Sequence, residues 1–528
     1  MNRALTHIGP SARVARGATY LLIQGFLNAA IGLVFFIVLA HVLANRVDEM
    51  GVYTLLSFIL ALIPVIGTLA LPSAAIKYIS KYLAEDDKTK AREVVVRVLQ
   101  IGSLASVGAF VILFIPAEPL SKIIFGISDY ALLLRVLAFC SIFTILNTMT
   151  SSFLQGLQKI GHVAALGLGY TIIQATLGIV LLLLGWGLYA VVLGWLTGLI
   201  VISVVGLLLT ARYVGFLGKL HPSKPLLSYS LPLYVSNSIS FFVGWVDQLL
   251  LVAILGQETL GVYSVAVRAA AIPALFSTSI VVALFPKLSE LYTKQGSQSL
   301  EDAFKVSTRY SVLVGFPLIV GLAALSYPMV ILFGGVPYIG AVEPLIILCI
   351  AALANALGVA VSSIFLTLGR TKIVSVLSIV SVGLNMLLSY TALVPLNLGM
   401  VGTATARTFG AIITLALNIY VLSRYMQVSF DKEAFWKASL ACLVLVIAIF
   451  ALDGARMLFV FGYFRLDQFL VLRLLLLPVY IVIAGLAYFV ALIGLRTIKA
   501  QDVELAKQFL PRSLNRIAGW LERIAADK

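Results

Sequence analysis

The sequence predicts an all-α polytopic membrane protein of about 14 spanning helices: two six-helix parallel repeats, then two extra C-terminal helices. Three observations predict it. Of 528 residues, 61% are hydrophobic and only 11% charged, at a mean hydropathy of +1.08, which is more apolar surface than a soluble globule buries. Apolar stretches of about 20 residues or more recur along the whole chain, each long enough to cross a bilayer. The second half also repeats the first. Gly51-Val52-Tyr53 returns as Gly261-Val262-Tyr263, Pro64 as Pro273, and Ile123-Ile124-Phe125-Gly126 as Ile331-Leu332-Phe333-Gly334. Asn147 returns as Asn355, Ser151-Ser152 as Ser362-Ser363, and Arg212 as Arg424. The spacing stays near about 210 residues, the mark of an internal duplication.

Taken in order, a polar, weakly basic segment over 1–17 leads into the first apolar stretch, at 18–44. That stretch outruns a signal-peptide core and lacks a small-residue cleavage pattern, so it reads as a retained helix. Helix 2 is expected over 51–78, helix 3 over 94–115, helix 4 over 130–157, helix 5 over 163–184 and helix 6 over 188–211. The second set is expected at 228–254, 261–290, 306–332, 340–367, 374–394 and 400–424, and two unmatched helices at 435–452 and 468–495. The expected organisation is a cytoplasmic N-terminus (1–17), a six-helix lobe (18–212), an inter-lobe linker (213–227), a second six-helix lobe (228–424), two extra helices (435–495) and a cytoplasmic tail (496–528). In the tail Leu514, Ile517, Leu521 and Ile524 share a helical face with Trp520 nearby, and Arg512, Arg516 and Arg523 lie elsewhere around it. This reads as an amphipathic helix on the anionic cytoplasmic leaflet. An even number of helices per repeat gives both repeats the same orientation, related by an axis along the membrane normal.

The charges fit this count. Most of the 37 basic residues fall in alternate loops, among them Arg13, Arg16, Lys81, Lys88, Lys90, Arg92, Lys219, Lys224, Arg370, Lys372 and Lys432. The opposite loops hold few, such as Arg46, Lys122, Arg456 and Arg465. The positive-inside rule places both termini in the cytoplasm of a multi-pass cell-membrane protein. The same rule accounts for the net charge of +15, with no separate basic domain for nucleic acid. Cys140, Cys349 and Cys442 all lie in apolar segments and read as small buried hydrophobes; the four histidines are scattered and form no ligand cluster. Neither a phosphate-binding GxxxxGK[ST] loop nor an HExxH appears, and the outer loops are too short to house a catalytic domain. No catalytic residue, metal site or cofactor is expected.

Polar residues inside apolar segments are the site candidates, because intramembrane charge is costly. Asp247 and Arg268 each lie about seven or eight residues, roughly 10–12 Å, inside the outer end of adjacent helices and could pair. They read either as a structural ion pair or as an arginine anchor for an anionic substrate, held by Asp247. The first repeat has Ile37 and Phe58 instead, so the charges occupy one lobe only. Gln24 and Asn28 share a face of helix 1, with Arg13 and Arg16 at its cytoplasmic mouth; such amides either bond neighbouring helices or line a wet cavity. Arg135, Glu343 and Arg407 lie near outer helix ends and read as snorkelling side chains. Asn147 and Asn355 are duplicated and read as helix-packing residues. Pro64 and Pro273, also matched, mark kinks and candidate hinges.

Gly51-Val52-Tyr53, the basic Lys77-Tyr78-Ile79-Ser80-Lys81 end of helix 2, and Asp247-Gln248-Leu249-Leu250 through Leu255-Gly256 to Leu260-Gly261-Val262-Tyr263-Ser264 carry a family resemblance. The chain resembles the multidrug/oligosaccharidyl-lipid/polysaccharide exporter superfamily, and within it the polysaccharide-biosynthesis (oligosaccharide flippase) branch, over nearly its whole length. The resemblance implies two lobes in a V around a central cationic cavity. It implies movement of a polyprenyl-linked oligosaccharide from the inner to the outer leaflet by alternating access, with lipid tails left in the bilayer. Arg268, Asp247, Gln24, Asn28 and Arg16 are this chain's candidates for that cavity. Lipid-linked oligosaccharide, membrane lipids, and glycosyltransferases or a polymerase of the same pathway are the implied partners. The alternative on the same fold is a cation-coupled multidrug or small-molecule antiporter. Helix 1 contains no Asp or Glu and so counts against it, leaving Asp247 as the obvious coupling residue. A glycan polymerase or ligase and a passive scaffold are the remaining classes.

Overall fold

A computed structural model describes residues 10–216, 218–295, 297–368, 370–460 and 466–497. The expected tail helix lies outside the described residues. Among those described, fourteen helices are long and apolar enough to span a membrane. The chain packs as two compact units: Met1–Ser264 with Phe333–Tyr338, and Val265–Leu332 with Ile339–Lys528.

The first unit contains α1 (Pro10–Val42), α2 (Val47–Gly67), α3 (Leu71–Ala84), α4 (Lys88–Phe114), α5 (Ala117–Phe125), α6 (Ala131–Gly156), α7 (Ile160–Leu183), α8 (Leu188–Tyr213) and α9 (Ser223–Val243). Helix α6 is its centre and packs against α2, α3, α4 and α8, burying Leu133, Leu134, Leu137, Ile145, Met149, Phe153 and Leu154. Helix α7 lies between α8 and α1.

The single helix expected over 51–78 is in fact two. Pro64 has no N–H to donate, and the Thr68 hydroxyl and amide both turn back onto the Pro64 carbonyl, at 2.7 and 3.3 Å. Helix α2 stops at Gly67. Leu69 and Ala70 adopt positive φ (49° and 54°), and Pro72 sits at the start of α3. The short α5 is a further element that hydropathy does not mark. Gly126, at φ 75°, caps α5 by donating to the Lys122 carbonyl, whereas Gly334 is the last residue of α13 (Ser326–Gly334) and the left-handed position falls one residue later, at Gly335, φ 82°.

Helix α10 (Val246–Gln295) begins after a two-residue break at Gly244-Trp245 and is interrupted again at Gly256, φ 83°. The helix expected over 228–254 is therefore a discontinuous one. It is followed by α11 (Ser297–Tyr310), a π-helical turn (Ser311–Gly315) and α12 (Phe316–Ala324). Here Pro317 leaves the Leu313 carbonyl without its helical donor. The Tyr488 hydroxyl of α18 (Leu466–Gly494) supplies one at 2.8 Å, the kind of repair a broken backbone needs in lipid. The second unit is completed by α14 (Val342–Thr367), α15 (Thr371–Leu393), α16 (Gly399–Leu422) and α17 (Lys432–Val460). Helix α16 joins α14 through Thr408 to the Ile347 carbonyl at 3.0 Å and α15 through Thr414 to Ser381 at 3.1 Å. Helices α17 and α18 pack on α12 around Leu325, Cys442, Leu445, Ile449, Leu477 and Tyr480.

Candidate functional site

Three groups of residues within the first unit stand out. The first is at the break before α10. Val243 ends α9, Gly244 and Trp245 make tight turns back onto Phe241 and Phe242 at 3.1 Å, and Val246 starts the next helix. Asp247 therefore sits in the first turn of α10, where the unsatisfied N–H groups of a helix start favour a carboxylate. It is fully buried and accepts a 3.0 Å hydrogen bond from the Tyr263 hydroxyl. Tyr263 is the tyrosine of the repeated Gly-Val-Tyr. Sequence spacing does not pair it with Asp247, because the two lie on either side of the Gly256 interruption.

Replacing Tyr263 by Phe removes a donor to a charged group, a contribution of about 1.5–3 kcal/mol. A drop in apparent Tm in detergent is expected, with a smaller drop for Asp247→Asn, which keeps an acceptor for the hydroxyl. Around the same break Phe58, Phe241, Phe242 and Trp245 cluster with ring centroids 5.3–6.5 Å apart. Phe58 precedes Arg268 by 210 residues, the spacing of the sequence repeat. Arg268 is half-buried and belongs to the second unit.

On α1, Gln24 lies directly over Gly167 of α7, so its amide is at a helix–helix contact. Asn28, one turn on, has a buried Oδ1 with no hydrogen-bond partner among the described residues. The structure thus brings Gln24 and Asn28 to one side of α1, with Gln24 on α7. Arg16 lies in α1, but its side chain is outside those described. Pro64 is at the end of α2; Pro273 is buried in α10.

The second group lies where α2 begins. A Cβ on Gly51 would overlap the Gln257 carbonyl, and one on Gly261 would overlap the Val47 carbonyl. Positions 47 and 257, like 51 and 261, are 210 residues apart, and the two contacts are reciprocal: each glycine faces the residue four before the other glycine. Gln257 Nε2 also donates to the Phe125 carbonyl at 2.7 Å, and Phe36 packs on Phe333 with centroids 6.2 Å apart.

The third group is at the opposite end. Lys77 of α3 places its ammonium 3.9 Å from the centre of the Tyr229 ring on α9 and 5.6 Å from that of Tyr78. The Tyr78 hydroxyl donates to the Pro225 carbonyl at 3.4 Å. Val214 and His221 are tied to α4: Arg92 Nε donates to the Val214 carbonyl at 2.5 Å and Arg97 Nε to the His221 carbonyl at 2.7 Å. The His221 ring places Nδ1 2.8 Å from the Pro222 carbonyl, which can only accept, leaving Nε2 for the Tyr82 hydroxyl at 3.0 Å.

The sequence profile of the polysaccharide biosynthesis protein family matches residues 38–343, more than half of the chain. The chain belongs to this family. The profile takes in the Gly51/Gly261 crossing, the Asp247 break and the Lys77 cluster. The chain is 25% identical over 228 residues to a probable low-salt glycan biosynthesis flippase, Agl15, of Haloferax volcanii; the match covers 43% of this chain and about half (48%) of the relative. In fold it is similar to the lipid II flippase MurJ in an inward closed conformation, with a TM-score of 0.67 at 17% identity, covering 89% of this chain and 97% of MurJ. It is similar also to an inward-facing multidrug resistance MATE family transporter of the MOP superfamily, with a TM-score of 0.61 at 16% identity, covering 76% of this chain and 98% of the other. The multi-helix membrane fold expected from the exporter resemblance is thus the one found.

Proposed function

We propose that this protein is a flippase that moves a lipid-linked oligosaccharide from the cytoplasmic to the outer leaflet by alternating access, in the service of cell-surface polysaccharide or glycoprotein synthesis. The observation that carries the reading is family membership joined to similarity with a glycan biosynthesis flippase. The physics supports it. A lipid tail is at home in hydrocarbon, whereas a phosphorylated sugar head is not, and a polar path removes that desolvation cost. Arg268 offers a fork of donors suited to phosphate. Gln24, Asn28 and Asp247 provide further polar groups along α1 and α10, and Pro64 and Pro273 provide flexing points. The repeats, the cell-membrane location, the cytoplasmic termini and partner enzymes of the same pathway belong to the same proposal.

Moving a head with two negative charges outward across a membrane with an inside-negative potential of 100 mV releases about 4–5 kcal/mol, so voltage can bias export. Flipping in proteoliposomes is expected to accelerate under an imposed inside-negative potential; indifference to the potential removes voltage as the driving force. The test of the function itself is the leaflet distribution of lipid-linked oligosaccharide in cells lacking the protein. Accumulation on the cytoplasmic side, cleared by the wild-type chain but not by a normally expressed Arg268→Ala, is the expected result; an unchanged distribution overturns the reading. The buried Asp247 favours one alternative, a cation-coupled antiporter. In that case Asp247→Asn abolishes antiport and cells lacking the protein become sensitive to cationic dyes.

A further inference from the structure

Lys77 is an unusual lysine. It stands on the exposed side of α3, yet its ammonium lies over an aromatic face of another helix, at 3.9 Å from the Tyr229 centroid. Tyr78 meets the same Tyr229 ring edge-on, at 6.5 Å and 88°, and reaches the Pro225 carbonyl, so three contacts from two successive residues hold α3 against α9. Its depth is informative. Tyr229 is six residues into α9, which puts it about 9 Å from the start of that helix. With the termini inside, as proposed above, this is the level of the inner-leaflet headgroups. The phosphates of a lipid-anchored substrate occupy the same plane.

We propose that Lys77 receives the phosphate of the lipid-anchored head at the cytoplasmic headgroup level, and that drawing Lys77 off the Tyr229 ring unlatches α3 from α9. This inference rests on the flippase reading and names the residue that meets the phosphate first, on the cytoplasmic side and before Arg268. The chemistry is a competition. The ring face attracts an ammonium through its quadrupole, a weaker bond than a charge-assisted one to a phosphate oxygen. An arriving phosphate therefore wins the ammonium, and α3 loses its cationic contact with α9. The remaining Tyr78 contacts are a neutral hydrogen bond and an edge-on ring. Lys81 and Lys90, each 5.8 Å from the Tyr82 ring, surround the position with further positive charge and steer an anion toward it. Glu85, Asp86 and Asp87 follow on the same hairpin. Asp87 is committed to Lys90 at 3.0 Å, and Glu85 lies 3.9 Å from Lys81, which leaves Lys77 outside these acidic pairings.

The test is a distance measurement across the latch in the full-length chain. Spin labels go on Ala84 of α3 and Ser228 of α9, both exposed, with the buried Cys140, Cys349 and Cys442 replaced by alanine. In nanodiscs of neutral lipid the wild-type pair is expected to show one short distance, which moves to a longer one when polyprenyl diphosphate is added. Lys77→Arg is expected to behave like wild type. Lys77→Gln and Tyr229→Leu are expected to start at the longer distance, and Lys77→Gln to bind polyprenyl diphosphate at least tenfold more weakly while Tyr229→Leu binds it normally. Phosphatidylglycerol and inorganic pyrophosphate serve as controls for an ordinary headgroup and a free anion. Either one reproducing the shift overturns the assignment to the lipid-anchored head. A wild-type distance indifferent to polyprenyl diphosphate, or a Lys77→Gln variant that still responds, overturns the role of Lys77. Leaflet assays on the wild-type protein test the transport reading separately: a latch that opens without flipping leaves the Lys77 assignment standing and removes the flippase.

Discussion

Alanine at Gly51 or at Gly261 is expected to destabilise the protein by about 1–3 kcal/mol each, and the double variant by less than the sum. The reason lies in what the added methyl meets. At both positions it meets a backbone carbonyl of the other helix, Gln257 in one case and Val47 in the other, and a backbone cannot rotate out of the way as a side chain can. The helices must separate. Close backbone approach is what small residues contribute in membranes, where there is no hydrophobic drive between helices and packing has to be intimate. Separation also stretches the Gln257 hydrogen bond to the Phe125 carbonyl. Because either substitution pushes the same two helices apart, the second finds the contact already relaxed, which is the source of the sub-additivity. Thermal unfolding of the two single variants and the double in detergent measures all three values. Full additivity shows that the two glycines do not share one crossing. Substitution at Gly25, whose added Cβ would meet nothing within 4 Å, is the matched control.

The same crossing separates what is legible in the sequence from what is not. Gly-Val-Tyr is visible as a repeat in the order of residues alone, but its two jobs are three-dimensional: the glycines let α2 and α10 touch, and the second tyrosine holds Asp247. Hydropathy places most spans well, since a bilayer demands about 20 apolar residues whatever their neighbours. It fails where the backbone breaks without becoming polar. Thr68-Leu69-Ala70 and Gly244-Trp245 are nearly as apolar as the helices around them, so no window average sees them. Gln24 is ambiguous for another reason: an amide in mid-span reads equally well as cavity or contact, and its place over Gly167 appears only in three dimensions. Lys77 is legible as part of a basic helix end, but its Tyr229 partner lies about 150 residues away in sequence and carries no periodic signal. Tyr488 is similar: the Pro317 break is plain, but the donor that repairs it lies 175 residues from the Leu313 carbonyl in sequence.

Removing one partner of the Arg309–Asp431 pair is expected to be among the most damaging single changes, at about 3–5 kcal/mol. Both side chains are only 7% exposed, and Arg309 Nη1 meets Asp431 Oδ2 at 2.7 Å. The pair ties three elements together. Arg309 is in α11, just before the π-helical turn; its Nη2 donates to the Thr497 carbonyl, beyond the end of α18, at 2.6 Å. Asp431 Oδ1 meanwhile accepts from the Ala434 amide at 3.0 Å, capping α17. Arg309→Met removes the cation 2.7 Å from the buried Asp431 carboxylate and its hydrogen bond to the Thr497 carbonyl. Asp431→Leu leaves a buried guanidinium and an uncapped helix, so it is expected to cost at least as much. The double variant, Arg309→Met with Asp431→Leu, is expected to recover much of the loss, because a buried ion pair stabilises little beyond what good apolar packing gives and is costly chiefly when half of it is missing. Chemical denaturation in detergent micelles measures the cycle. A double variant as unstable as the worse single one shows that the cap and the Thr497 contact, not the charges, hold this corner together.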